Sequence, residues 1–89
     1  MRKDINELIN NNLKIMLCIG NNEIEINGEI SCILSQETIA EIVHLTRPTV
    51  TNIIHRLTVL GFVEDKGIKH KKYALTQRGR TVVQTINKL

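Results

Sequence analysis

The chain has 89 residues, room for one domain with one modest core, so a single unit over residues 1–89 is expected, with no room in it for a separate sensor domain. Hydrophobic residues make up 42% of it but aromatic ones only 2%, so the core has to be aliphatic, and no apolar run approaches the roughly 20 residues of a membrane span. The net charge of +3 is unevenly spread: residues 1–35 carry three basic against five acidic side chains, residues 36–89 nine against four, a balance of +5 that suits a polyanion-binding face.

Met1-Arg2-Lys3-Asp4 runs into an amphipathic stretch and not into a signal peptide, so a cytoplasmic location is expected. Ile5, Leu8, Ile9, Leu13, Met16 and Leu17 recur at helical spacing and predict a helix over about 4–19, with Asp4 as its N-cap and Gly20-Asn21-Asn22 as its stop. Apolar and polar residues then alternate on both sides of Asn27-Gly28, a pair that supplies the positive φ angles of a two-residue turn, so 23–33 reads as a β-hairpin. Ser35 is placed to cap a short helix from Gln36 to His44, and Thr46 to cap another immediately afterwards. In that second helix, about Arg47 to Leu60, Pro48 falls in the first turn, where its missing N–H is no loss, and Gly61 marks the end. Phe62 to Leu75 reads as a second hairpin with a basic loop, and Thr76 as the cap of a last helix through Leu89, with Val82, Val83, Ile86 and Leu89 on one side. Val82 and Ile86 are expected to pack into the core, and the same stripe is a candidate dimer contact.

Two helices a few residues apart, followed by a hairpin, spell a helix-turn-helix with a wing. Ile39, Ala40 and Val43 are expected to face inward from the first helix of the pair, Leu45 to plug the turn, and Val50, Ile53, Ile54 and Leu57 to return from the second. Ala40 has to be small, because a larger side chain would hold the helices apart. The fold class expected is therefore α+β, mainly α: helix, β-hairpin, helix-turn-helix, β-wing, C-terminal helix.

The stretch from Leu34 to Leu57 resembles the helix-turn-helix of bacterial transcription regulators, and the order of elements resembles the DNA-binding domain of the cyclic-AMP receptor protein family. The run Thr46-Arg47-Pro48-Thr49-Val50-Thr51, the Leu60-Gly61-Phe62-Val63 junction and Tyr73 to Arg80 also resemble the MarR family. These resemblances imply a DNA-binding transcription regulator acting as a homodimer on a pseudo-palindrome, with half-sites about 34 Å apart. Two departures stand out. His44 occupies a turn position where such motifs usually carry Gly with left-handed backbone, and the wing tip lacks the Arg that MarR-like insertion into the minor groove would use.

With Val50, Ile53, Ile54 and Leu57 inward, the outward face of the second helix carries Arg47, Pro48, Thr49, Thr51, Asn52, His55 and Arg56. Arg can donate two bonds to guanine, Asn can bond adenine bidentately, and threonine methyls and hydroxyls suit thymine methyls or phosphates. His55 and Arg56, further along, are expected at phosphates. In the wing Lys66, Lys69, His70, Lys71 and Lys72 crowd one short loop, where like charges repel unless an anion stands nearby, and phosphate is the natural anion.

Other chemistries find no support in the residues. Cys18 and Cys32 form no CxxC and no Cys/His cluster and are expected as small buried hydrophobes, and His44, His55 and His70 have no metal-ligand spacing. No nucleophile with an adjacent base, no phosphate-cradling glycine loop and no paired carboxylates appear, so neither enzyme activity nor a cofactor is expected. Two alternatives to a transcription regulator stay open: a replication or partition initiator of a plasmid or phage, which would bind reiterated sites, and a protein-interaction adaptor, which would show no salt-dependent DNA affinity. A stand-alone protein and a fragment of a longer regulator are both open as well.

Overall fold

The computed structural model describes the backbone of residues 2–67 and 70–88 and the side chains of 11–67 and 70–88. Helix α1 runs from Arg2 to Asn21. Asp4 therefore lies inside it and does not cap it. Its buried face is made by Ile15, Met16, Cys18 and Ile19, with Leu17 half-buried against them, whereas Ile5, Leu8 and Ile9 have side chains outside the described residues. Ile15 and Ile19, both fully enclosed and outside the apolar set read from the sequence, carry much of the contact beside Met16. The helix ends on Asn22, whose backbone N–H donates to the Cys18 carbonyl at 3.2 Å and whose side-chain amide donates to the same oxygen at 2.8 Å.

Strands β1 (Glu23–Ile26) and β2 (Glu29–Cys32) form the expected hairpin, with Asn27 at φ 54° and Gly28 at φ 83° in the turn. Glu23 pairs with Cys32 and Ile24 with Ser31, and directly opposed residues share a face. Glu23 and Cys32, at the base of the hairpin, meet the core, whereas Ile24, Ile26 and Ile30 are 44%, 51% and 42% exposed.

Helices α2 (Gln36–Val43) and α3 (Arg47–Val59) begin on caps read directly from the sequence. The Ser35 hydroxyl accepts the Thr38 N–H at 3.1 Å and the Thr46 hydroxyl accepts the Thr49 N–H at 3.4 Å. Between the two helices His44 takes the left-handed conformation at φ 60°, and the Leu45 N–H donates to the Ala40 carbonyl at 3.0 Å. Ile39, Ala40 and Val43 are buried against Val50, Ile53, Ile54 and Leu57, and Leu45 closes the turn half-buried, as the apolar pattern predicts.

Strands β3 (Val63–Asp65) and β4 (Tyr73–Leu75) make the wing, paired Val63 to Leu75 through Asp65 to Tyr73. Helix α4 (Gln77–Asn87) follows, capped by the Thr76 hydroxyl on the Gly79 N–H at 3.1 Å. A Cβ at Gly79 would sit 2.2 Å from the Phe62 carbonyl oxygen, so glycine lets α4 approach the α3–β3 junction. Arg78 holds the same junction, donating to the Leu60 carbonyl at 2.7 Å with its guanidinium 4.4 Å from the Phe62 ring centre. The buried centre of α4 is Val83, flanked by half-buried Val82. Ile86, expected in the core, is only half-buried, because helical rotation carries it to the rim, and Leu89 lies outside the described residues.

The sequence pattern identifies two hairpins and no pairing between them. They are joined: β2 pairs with β4 at Cys32 and Tyr73, giving one antiparallel sheet in the order β1-β2-β4-β3. The core lies between this sheet and the helices, and includes both Cys18 and Cys32, whose thiols burial pushes above the usual range. The fold is an α+β, mainly helical, winged helix-turn-helix. Among the described residues no helix is long and apolar enough to cross a membrane.

Candidate nucleic-acid interface

Helix α3 spans 13 residues, about 20 Å, and buries one stripe, so the opposite stripe is left to solvent. Arg47, Pro48, Thr51, Asn52, His55 and Arg56 are all exposed on it, while Thr49 is half-buried. The Thr49 hydroxyl lies 2.9 Å from that of Thr46, inside the helix cap, and is committed to the first turn more than to a partner. Arg47 stands 3.8 Å from Glu37, a loose pair with both side chains mostly in water, which leaves the guanidinium available. Among the described residues Asn52, His55 and Arg56 make no side-chain hydrogen bond, so their polar ends face outward without a partner.

The wing supplies the second wall. An open cleft of about 580 Å³ is lined by Arg47, Pro48, Thr51 and Asn52 from α3, Gln36 from α2 and Lys71 from the wing. A smaller cleft of about 210 Å³ continues from it past His55 to Asp65 and Tyr73. Residues chosen from sequence in two separate elements are thus brought to one concave surface. Lys66, His70 and Lys71 are exposed, Lys72 is half-buried, and Lys69 lies outside the described residues.

One wing residue went unread in the sequence. Asp65 Oδ1 accepts from the backbone N–H of Gly67 at 2.9 Å and of Lys72 at 3.1 Å, and its Oδ2 meets the Lys71 ammonium at 3.3 Å. Partial burial pushes this carboxyl up, but the two backbone donors and Lys71 outweigh it and hold it below the usual carboxylate range. The Asp-x-Gly spacing was the available signal, since a short carboxylate commonly bonds a backbone N–H two residues on. Its consequence is that Lys71 is already partly neutralised. Gln36 is the other residue missed: it was read only as the start of a helix, yet it lines both clefts.

The surface brings exposed hydrogen-bonding side chains together with the positive charge of Arg47 and Lys71. Among the described residues no group of three or more His, Cys, Asp or Glu could hold a metal ion. No protein-family model matches the chain, and no curated protein matches it. Among solved structures it is similar to TubR bound to 24 bp of tubC from Bacillus thuringiensis serovar israelensis pBtoxis, with a TM-score of 0.68 and 23% identity over 97% of this chain and 91% of that one. It is also similar to a type III plasmid segregation TubR mutant and to a type III plasmid segregation TubR, each with a TM-score of 0.66 and 24% identity over 96% of this chain, covering 88% and 83% of theirs. What this chain shares with those proteins, over nearly its whole length, is the winged-helix fold.

Proposed function

We propose that this chain, as one winged-helix domain over residues 1–89, binds double-stranded DNA with sequence preference. Helix α3 lies in the major groove and the wing at 66–72 meets the flanking backbone or minor groove. The observation that carries the reading is the single cleft that holds Arg47, Thr51 and Asn52 opposite Lys71. A helix about 10–12 Å across fits a groove about 12 Å wide, and a basic wing beside it reaches the phosphates that border that groove. Arg47 and Asn52 read bases, Thr51 contributes its methyl group, and His55, Arg56 and the described wing residues Lys66, His70, Lys71 and Lys72 neutralise phosphate. Lys69, outside the described residues, belongs to the same basic loop by sequence.

Likeness to a TubR bound to 24 bp of tubC supports duplex DNA as the partner, and likeness to plasmid-segregation proteins favours a partition role over promoter control. The resemblance of the helix-turn-helix to the cyclic-AMP receptor and MarR families supports the regulator reading, which the same domain would also serve. Each copy presents one recognition helix, so we take a homodimer as the binding unit. No catalytic step is assigned to the chain, and its site is in the cytoplasm, where the DNA is.

Selection of bound sequences from a random duplex pool, followed by titration at several salt concentrations, tests the reading. A dimer that neutralises about six to ten phosphates should give a log K against log salt slope of roughly −5 to −9, and a slope near zero would instead mean a protein-interaction adaptor. Reiterated adjacent sites among the selected sequences mark partition, and a lone pseudo-palindrome marks a regulator.

A further inference from the structure

We propose that Gln36 is a positioning residue that sets the spacing between the recognition helix and the wing, and that it withdraws the Thr51 hydroxyl proton from base reading. The inference rests on the DNA-binding reading above and adds to it a residue outside both the recognition helix and the wing.

Gln36 is the first residue of α2, and both ends of its carboxamide are engaged. Its Nε2 donates to the Tyr73 hydroxyl at 2.7 Å, and its Oε1 accepts from the Thr51 hydroxyl. Tyr73 is 2% exposed on β4, a strand held on both sides by β2 and β3, so its hydroxyl is a fixed point of the sheet. Thr51 lies one turn into α3, on its exposed stripe. One amide therefore ties three elements together at the floor of the cleft. Among the described residues no other hydrogen bond links α3 to either wing strand. The covalent link between them, Leu60-Gly61-Phe62, includes a glycine at φ 83°, which sets the exit direction of the chain but no distance to the wing tip.

That distance matters because the helix and the wing must meet the same duplex at once. Base contacts depend on α3 alone, whereas wing contacts to phosphate depend on where the wing stands when α3 is seated. A hydroxyl has one proton, and that of Thr51 goes to Gln36. Towards DNA it offers a methyl group, which suits a thymine methyl, and an oxygen that can only accept.

The test uses the full chain and a duplex recovered by the parent protein from a random pool, titrated at several salt concentrations, with thermal unfolding measured beside it. Tyr73→Phe removes a hydroxyl from a residue that is 2% exposed and already bonded to Gln36. It and Gln36→Leu should each weaken binding by about three- to tenfold and flatten the salt slope by about one unit, with the preferred sequence unchanged. The double variant should be no weaker than Gln36→Leu alone. Folded Tyr73→Phe and Gln36→Leu proteins that bind with the parent's affinity and salt slope would reduce the amide to a structural bond and overturn the proposal. Thr51→Val, an exposed change that keeps shape and methyl, carries the same reading if a core variant does not fold. It should flatten the slope without changing preference for a base that presents only acceptors, and a lost preference for such an acceptor would mean that the Thr51 proton reads a base and that the proposal is wrong. A parent that binds no duplex in a salt-dependent way overturns the DNA reading itself, a result visible before any variant is made.

Discussion

Asn52 and Arg47 differ from the other polar residues of α3 in what already occupies them. Thr49 is held by the Thr46 cap and Thr51 by Gln36, whereas Asn52 has no hydrogen-bond partner among the described residues and Arg47 only a loose, exposed pairing with Glu37. Asn52→Ala or Arg47→Ala should therefore cost about 1–3 kcal/mol on the selected duplex and relax its preference, with little effect on random DNA, as measured by competition titration. Folded variants that bind as tightly and selectively as the parent would remove α3 as the reader. Lys71→Ala should act differently, reducing the salt slope by less than the full unit expected of an unpaired lysine, because Asp65 stands 3.3 Å from it. Asp65 itself imposes a pH dependence. Its carboxyl titrates lower in the fold than in the unfolded chain, so its contribution is complete above about pH 4 and disappears as pH falls through the lowered native value. Thermal unfolding of the parent and of Asp65→Asn should accordingly converge as pH drops from neutral to below about 4, and a constant gap across that range would show that the charge of Asp65 is not what orders the wing.

Among the elements, the turn between α2 and α3 carries the clearest local compromise. His44 sits at φ 60°, a conformation that disfavours a residue with a Cβ by about 1 kcal/mol, and its neighbour Leu45 still completes the turn by bonding to Ala40. His44→Gly should stabilise the protein by up to about 1 kcal/mol, less whatever the freer glycine adds to the unfolded chain. For a domain of this size that corresponds to a rise of a few degrees in the midpoint of thermal unfolding, about 4–8 °C per kcal/mol. A fall would mean that the imidazole makes a compensating contact. The other caps, Ser35, Thr46 and Thr76, need no such compromise, since each sits in extended backbone with its hydroxyl on an N–H of the first turn.

Across the whole molecule the two hairpins are fastened by more than the β2–β4 pairing. Arg80 on α4 donates to both carboxylate oxygens of Glu23 on β1, at 2.8 and 3.0 Å, and the Leu75 N–H on β4 donates to Glu23 Oε2 at 3.1 Å. The Glu23 side chain is only 7% exposed and Arg80 35%, so removal of the carboxylate strands a backbone donor and leaves a guanidinium that water can partly recover. Glu23→Ala should therefore cost about 1–3 kcal/mol in urea unfolding, less than the loss of a fully buried pair, and Glu23→Gln, which keeps an acceptor, should cost less. Equal stability of Glu23→Ala and parent would assign the joining of the hairpins to the strand pairing alone. The N-terminal hairpin thus braces β4, one of the two strands of the wing, which connects an acidic part of the chain to the placement of the basic one.

Local chemistry made most of this protein legible in one dimension. Three hydroxyl caps, an Asn-Gly turn, the glycine after α3 and a 3.6-residue apolar period are short-range signals, each satisfied within a few residues, and together they yielded the order of elements, the inward faces of α2 and α3 and the exposed stripe of α3. The same reading recognised α1 as a helix but did not single out Ile15 and Ile19, because an apolar residue every three or four positions fits several faces and only the packing partners choose among them. It also joined nothing across distance. The β2–β4 pairing, the Glu23–Arg80 bridge and the Gln36 amide between Thr51 and Tyr73 link residues 15 to 57 positions apart, and no local pattern specifies such partners. Sequence determined which side chains could face a duplex. Tertiary structure decided which keep their hydrogen-bonding groups for it, because a polar group near the core is claimed first by whatever neighbour the fold brings within reach.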